Sequence, residues 1–182
     1  MITKDSGAPV VRALVSTALA AAVGARLGLR PPQLWAGLRA GAVAAGVVVT
    51  GVAVSGLVPQ VRAGMNTRRI PADPVRWLAL EIPVATAWTE EMLFRGVLQT
   101  VAVRALGPVF GPLVQAAAFG LWHIPDARRV GDSVPGTVLL TGVAGWVFAK
   151  LAERSGSVLT PILAHIAFNE SGAVAALLVQ RR

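Results

Sequence analysis

The sequence predicts an all-α fold, a polytopic membrane helix bundle of about six transmembrane helices built around a four-helix core. Hydrophobic residues make up 54% of the 182 residues and charged residues only 14%, a balance too apolar for a domain whose surface faces water. The apolar residues occur in runs long enough to cross a hydrocarbon core of about 30 Å. Alanine and glycine are frequent within these runs, and small residues let helices pack closely in lipid.

The predicted spans are residues 10–29, 35–58, 83–104, 108–124, 135–152 and 158–180. A polar linker, residues 59–74, divides the chain into an N-terminal part with two helices (1–74) and a membrane core (75–182). The apolar stretch 75–103 is too long for one straight span. We therefore expect residues 75–82 to lie along the membrane interface and the chain to bend at Pro83. Pro125 and the polar loop 126–133 close the fourth span.

Basic residues are spread between the apolar segments rather than gathered on one face, so the net charge of +8 does not indicate a nucleic-acid partner. With six crossings, both termini lie on one side of the membrane, and that side holds more basic residues than the opposite side. The positive-inside rule then predicts a cell-membrane protein with both termini in the cytoplasm. The terminal side holds Lys4, Arg12, Arg62, Arg68, Arg69, Arg76, Arg128, Arg129, Arg181 and Arg182, and the other side holds Arg26, Arg30, Arg39, Arg104, Lys150 and Arg154.

Three ionisable residues, Glu90, Glu91 and Arg95, fall inside the third predicted span. A charge near the centre of a membrane helix costs about 2.5 to 3.5 kcal/mol on insertion scales, so each needs a partner, a wet cavity or a function. Glu91 and Arg95 are four residues apart with the acid first, a spacing that predicts a same-face ion pair. Glu90 points about 100° away around the helix, where it is free to act as a base.

The chain has two histidines, and both lie in predicted spans: His123 in the fourth and His165 in the sixth. Asn169 follows His165 by one turn on the same face, so an imidazole and an amide can direct donors at one point, as in an oxyanion hole. At about 1.5 Å per residue from the span ends, Glu90 and His123 have similar depths in the membrane. His165 and Asn169 lie somewhat deeper. We expect one cavity to hold these four groups together with the ion pair.

The chain resembles the CAAX protease and bacteriocin-processing (CPBP) family of intramembrane endopeptidases in three sequence patterns that occur in the same order. The resemblance covers about residues 75–175, the four-helix catalytic core of that family. It implies hydrolysis of a peptide bond in a membrane-associated or prenylated substrate. The patterns are Glu-Glu-x-x-x-Arg from Glu90 to Arg95, Phe-x-x-x-His from Phe119 to His123, and His-x-x-x-Asn from His165 to Asn169.

The resemblance also implies roles for the matching residues. Glu90 and His123 would activate a water that attacks the peptide carbonyl, while His165 and Asn169 would hold the oxyanion. No cofactor is required in this scheme. The expected partners are the lipid bilayer and a peptide or membrane-protein substrate.

Glu91 and Arg95 would form a supporting pair, although Glu91 could share the acid/base work and a purely structural pair is an alternative. A zinc site made of Glu90, His123 and His165 remains open in principle. Asparagine is a poor zinc ligand, which favours a metal-free, glutamate-dependent mechanism. Zinc or another divalent metal is therefore a secondary possibility.

Other classes of function fit the sequence less well. There is no cysteine for thiol chemistry, no His-Glu-x-x-His and no Gly-x-Ser-Gly, and every aspartate lies in a predicted terminus or loop. A proton-coupled transporter is disfavoured because the chain has no repeated half. The remaining alternative is a non-catalytic membrane protein of the same fold that acts in bacteriocin immunity or partner binding.

Overall fold

The computed structural model describes residues 7–181, and the predicted topology markers Lys4 and Arg182 lie outside the described residues. The described part is helical and contains no strand, which confirms the predicted all-α fold. Its helices are α1 (Ala8–Ala22), α2 (Gln33–Ser55), α3 (Pro59–Thr67), α4 (74–106), α5 (108–122), α6 (Ile124–Val130), α7 (Val134–Ser155) and α8 (Leu159–Gln180).

Four helical stretches in the described chain are long and apolar enough to cross a membrane: Gln33–Ser55, Pro74–Val130, Val134–Ser155 and Leu159–Gln180. The second of these stretches contains α4, α5 and α6. Large apolar side chains such as Val43 and Leu57 are exposed on the outside of the bundle, and such a surface is matched to lipid rather than to water. The chain is therefore a multi-pass membrane protein.

The long helix α4 passes through Pro83 without a break, so the prediction that residues 75–82 are an element separate from the third span is wrong. The backbone from Trp77 to Trp88 has the wide i→i+5 hydrogen bonding of a π-helix, and Met92–Leu98 repeats it. A proline in an ordinary α-helix loses a hydrogen bond and clashes with the carbonyl one turn earlier. The wider turn relieves this crowding, which is why the helix continues.

The break between α4 and α5 falls at Gly107, which has φ 80° and ψ 175°. Residues other than glycine are strained in this backbone region. The glycine turns the chain back on itself, so that α4 and α5 form a helical hairpin. The predicted third and fourth spans, 83–104 and 108–124, already placed a turn here.

The first helix is shorter than the predicted span 10–29, because α1 ends at Ala22. Fifteen residues of α-helix extend about 22 Å at 1.5 Å per residue, less than the roughly 30 Å of a hydrocarbon core. Gly24 and Gly28 adopt positive φ in the non-helical segment that follows. The Nη1 atom of Arg104 donates to the carbonyl oxygen of Val23 at 2.7 Å, which fastens the end of α1 to the end of α4.

The connections between helices gather at two opposite ends of the bundle. At the far end, which comprises the segment 23–32, Gly107 and the turn 156–158, the Val158 N–H donates to the Leu27 carbonyl oxygen at 3.0 Å. At the near end, which comprises α3, α6 and the end of α8, Gln180 donates to the carbonyl oxygen of Met65 at 3.0 Å. The polar linker and the loop 126–133 were predicted without helices, but they contain α3 and most of α6. Both are amphipathic turns too short to be recognised from apolar periodicity.

Glycines allow close contact where the helices cross. A Cβ on Gly120 of α5 would lie 2.6 Å from the carbonyl oxygen of Val138 in α7, and one on Gly41 of α2 would lie 2.6 Å from Leu163 in α8. A Cβ on Gly145 of α7 would lie 3.0 Å from the Phe119 ring. Such small-residue contacts hold membrane helices together in the absence of a hydrophobic driving force between them. They also bring the backbone of α7 close to the polar groups of α4.

Candidate active site

The candidate site lies inside the bundle, where α4, α5, α7 and α8 meet, and Glu91 is at its centre. Glu91 is completely buried. One of its oxygens, Oε1, accepts two hydrogen bonds, from Arg95 Nη1 at 3.0 Å and from His165 Nδ1 at 2.8 Å. The predicted pair of Glu91 and Arg95 is therefore present, and the histidine of α8 joins it. Charge-assisted bonds of this kind are among the strongest that side chains form.

Arg95 connects three helices through its planar guanidinium group. It donates from Nη2 to the Gly145 carbonyl oxygen of α7 at 3.3 Å. Its Cζ atom lies 4.3 Å from the ring centroid of Phe119 in α5 and 5.1 Å from that of Phe148 in α7. A guanidinium over aromatic faces gains from the ring quadrupoles, and the Glu91 carboxylate balances its charge. The charge of the buried cation is thus balanced within the site, while its Nε atom has no hydrogen-bond partner among the described residues.

Glu90 stands beside this network but is not bonded into it. Its side chain is 15% exposed, and its Oε2 atom lies 3.9 Å from Nε2 of His165. That oxygen is buried without a hydrogen-bond partner among the described residues. The two adjacent glutamates therefore differ: Oε1 of Glu91 is held by two donors, whereas Glu90 accepts no hydrogen bond from a described residue and lies close to one imidazole.

The hydrogen bonds fix the tautomers of both histidines in their neutral form. The Nδ1 atom of His123 lies 2.8 Å from the carbonyl oxygen of Phe119, which can only accept, so this nitrogen carries the proton. The Nδ1 atom of His165 must likewise donate to the Glu91 carboxylate. In each neutral ring the Nε2 atom is then the one available for chemistry. The Phe119 ring lies between the imidazoles, 4.8 Å from His123 and 6.0 Å from His165.

Asn169 is half-buried on α8, one turn after His165. Its side chain makes no hydrogen bond to any other residue between 7 and 181. The structure therefore brings Glu90, Glu91, Arg95 and His165 into one cluster, and the Phe119 ring contacts both Arg95 of this cluster and His123. The role of Asn169 in binding an oxyanion stays a prediction.

Two groups at the site were not among the predicted residues. The Gly145 carbonyl oxygen accepts from Arg95, and the Phe148 ring lies 5.4 Å from the His165 ring. Glycine and phenylalanine on a membrane helix are ordinary packing residues. The only available signal was their three-residue spacing, which puts both on one face of α7.

The secondary possibility, a zinc site made of Glu90, His123 and His165, stays a prediction. No group of three or more His, Cys, Asp or Glu side chains that could hold a metal ion occurs among residues 7–181. One nitrogen of His165 is committed to Glu91, and the other is 3.9 Å from the nearest oxygen of Glu90. Two ligands at about 2.0 to 2.2 Å from one tetrahedral ion are themselves about 3.4 Å apart, and a carboxylate commonly accepts the other N–H of a zinc-binding histidine.

Comparison with known proteins assigns the family. No curated protein and no solved structure matches the chain. The family model for "Type II CAAX prenyl endopeptidase Rce1-like" matches residues 72–170, more than half of the chain. The match begins just before α4, ends within α8 and includes all six predicted site residues. The chain therefore belongs to the Type II CAAX prenyl endopeptidase Rce1-like family, a family of membrane-embedded proteases.

Proposed function

We propose that the protein is an intramembrane endopeptidase in which Glu90 activates a water molecule for attack on a peptide carbonyl. The observation that supports this proposal is the difference between the two adjacent glutamates. Oε1 of Glu91 accepts hydrogen bonds from Arg95 and His165, whereas neither oxygen of Glu90 accepts a hydrogen bond from a described residue; Oε2 of each glutamate is buried without a partner. A buried carboxylate with a free oxygen is suited to take a proton from water.

In the proposed reaction, Glu90 accepts a proton from the water while the water oxygen attacks the carbonyl carbon. His123 lies at the junction of α5 and α6 and can share this work through Nε2, because its Nδ1 is bound to Phe119. The resulting tetrahedral intermediate carries an oxyanion. When it collapses, the proton held by Glu90 passes to the nitrogen of the leaving peptide, and the carboxylate is regenerated.

His165 is proposed to donate to the oxyanion from Nε2, which requires the imidazolium form of the ring. Glu91 supports that form because it accepts the Nδ1–H at 2.8 Å, as the carboxylate of a catalytic triad does for its histidine. Asn169 would supply a second donor from the next turn of α8. Glu91 and Arg95 then act by positioning His165 and not by contact with the substrate.

The proposed setting follows from the distribution of charge. We infer that the near end of the bundle faces the cytoplasm of a cell, because more basic residues lie there (Arg62, Arg68, Arg69, Arg76, Arg128, Arg129 and Arg181) than at the far end (Arg26, Arg30, Arg104, Lys150 and Arg154). Membrane-associated or prenylated peptides are the proposed substrates, and the proposed mechanism uses no metal or other cofactor.

The test is a proteolysis assay on purified protein in detergent, with a library of quenched fluorescent peptides and with or without a chelator. Glu90→Gln should reduce turnover by roughly 10²- to 10⁴-fold, the usual contribution of a general base. Glu81→Gln is the matched control, since Glu81 lies on the same helix but is 45% exposed and paired with Arg76. Chelator should have no effect.

Three results would contradict the proposal. Full activity in Glu90→Gln would exclude Glu90 as the base. Inactivation by chelator with recovery on addition of zinc would require a metal. Absence of turnover by the folded native protein on every peptide would favour the non-catalytic alternative, in which the same fold binds a partner.

A further inference from the structure

Buried polar atoms without a partner lie along one line in this molecule. Glu91, Arg95 and Gln99 follow each other at four-residue intervals along one side of α4. Each has at least one buried nitrogen or oxygen atom with no hydrogen-bond partner among the described residues. Buried polar groups in proteins are almost always satisfied by protein or by ordered water. A continuous series of such atoms therefore indicates a single cause.

Gln115 on α5 extends the series, because the hairpin at Gly107 places it opposite Gln99. Both glutamines are eight residues from Gly107. Two other pairs show that residues at equal distances from Gly107 along the chain face each other. Val103 and Gly111 are each four residues away, and a Cβ on Gly111 would lie 2.7 Å from Val103 Cα. Arg95 and Phe119 are each twelve residues away, and their charged and aromatic groups are 4.3 Å apart.

The amide of Gln115 has no partner at either end. Its side chain is completely buried, and neither Nε2 nor Oε1 has a hydrogen-bond partner in the part of the chain that the structure describes. An amide offers two donors and one acceptor with two lone pairs. Such a group in the interior of a membrane helix pair is suited to hold water molecules.

The line reaches an exposed surface towards the far end of the bundle. Gln99 donates from Nε2 to Glu153 Oε1 at 3.1 Å. Glu153 also accepts from Lys150 at 2.7 Å and is 37% exposed. From Glu91 to Gln99 the path follows eight residues of helix, most of them in the π-helical segment Met92–Leu98. Polar groups thus connect the candidate site with the far end through the bundle.

We propose that Gln99 and Gln115 bind internal water molecules and form a hydrated path from Glu153 to Glu91. The use of this path in catalysis rests on the proposed function. Each hydrolysis consumes one water molecule. In that function, a peptide bound over Glu90 and His123 covers the site from the near end. Water that arrives along the glutamines reaches the carboxylates from the other side of the bundle. The path therefore separates the entry of water from the entry of substrate.

The chain contains no cysteine, so a single introduced thiol can report on water inside the bundle. Gln115→Cys in lipid vesicles would be treated with a small, positively charged methanethiosulfonate reagent, which reacts with the thiolate and hence needs hydration. Ala116→Cys is the matched control, because Ala116 is its neighbour and is also buried, but its backbone packs against Gly142 and Gly145 of α7. Leu113→Cys on the exposed apolar face is the lipid control.

Gln115→Cys should react at least tenfold faster than both controls, and Gln99→Cys should do the same if the first variant folds poorly. The reagent should be effective from the side on which Arg154→Cys is labelled and not from the side of Asp132→Cys, since these exposed residues mark the far and near ends. Equal rates for Gln115→Cys, Gln99→Cys and Ala116→Cys would overturn the proposal. So would labelling from the near end alone.

A kinetic measurement tests the use of the path in catalysis. Gln115→Leu should lower kcat about tenfold with KM unchanged, and Gln115→Asn, which keeps the amide, should recover most of the loss. An unchanged kcat in Gln115→Leu would overturn the role in water supply. Labelling requires no substrate. If the thiols react as expected but the protein has no proteolytic activity, the hydrated path is supported and only the proposed function is rejected.

Discussion

His165 donates from Nδ1 to Oε1 of Glu91 over 2.8 Å, so the last helix of the bundle is bonded directly to the second glutamate of α4. The bond is buried, and it fixes which nitrogen of His165 faces the first glutamate. In the proposed function the two neighbouring acids have different tasks: Glu91 holds the site together, and Glu90 takes part in proton transfer. This division leads to distinct expectations for their variants.

Glu91→Gln should be strongly destabilising, whereas Glu90→Gln should not. Loss of the Glu91 charge leaves the guanidinium of Arg95 buried without a counter-ion, and breaking a buried pair costs about 3 to 5 kcal/mol. Thermal or denaturant unfolding in detergent measures the difference. Equal stabilities of the two variants would show that the glutamates do not have separate tasks.

Arg95→Lys should lower stability even though it keeps the positive charge. Lysine cannot donate to Glu91 and to the Gly145 carbonyl with the same planar group, and it loses the stacking on Phe119. We expect a loss of about 1 to 2 kcal/mol, the scale of a desolvated cation–π contact with one hydrogen bond. The exposed Arg62 of α3 provides the control, since Arg62→Lys should leave the unfolding midpoint unchanged.

Gly120→Ala should separate α5 from α7 and lower stability by about 1 to 3 kcal/mol, the usual cost of overpacking. Its added Cβ would lie 2.6 Å from the backbone oxygen of Val138, which cannot move aside as a side chain can. Gly46→Ala in α2 meets nothing within 4 Å and should be neutral or stabilise the helix by up to about 1 kcal/mol. The unfolding midpoint should therefore fall in Gly120→Ala and stay constant or rise in Gly46→Ala. An equal shift in both variants would contradict the close contact between α5 and α7.

Gly107→Ala tests the turn between α4 and α5 without any steric clash. A Cβ there meets nothing within 4 Å, but φ is 80°, and a non-glycine residue in this region costs about 1 to 3 kcal/mol. Because His123 directly follows α5, relaxation of the turn should lower proteolytic turnover as well as stability. Gly172→Ala, at another open position, should change neither. Retention of full stability in Gly107→Ala would mean that the strained turn is not required.

The sequence was sufficient to predict the helical membrane fold, because apolar runs report burial in lipid directly. It also predicted the pair of Glu91 and Arg95, which depends only on spacing along one helix. The passage of α4 through Pro83 could not be predicted, since it depends on wide turns that no local pattern indicates. Likewise, the shortening of α1 results from glycine conformations and from the distant Arg104, neither of which affects the hydropathy of residues 10–29.

The candidate site shows the same limit. The motifs named Glu90, Glu91 and His165, which the fold brings close together, but the bond from His165 to Glu91 depends on the rotation of α8 about its own axis, which is set by packing against α2 and α4. The contribution of Gly145 is a backbone oxygen, and no side-chain pattern could have revealed it. Gln99 and Gln115 were overlooked because their proximity arises from the hairpin and not from their spacing along the chain.

The turn at Gly107 also limits which parts of the chain can tolerate insertions and deletions. Three facing pairs, at four, eight and twelve residues from the glycine, share one register. Insertion or deletion of one residue in either arm would rotate that arm by about 100° and misalign every pair beyond it. Natural variation in length should therefore fall in the loops outside residues 91–123, while the distance along the chain between the glutamates and His123 stays constant.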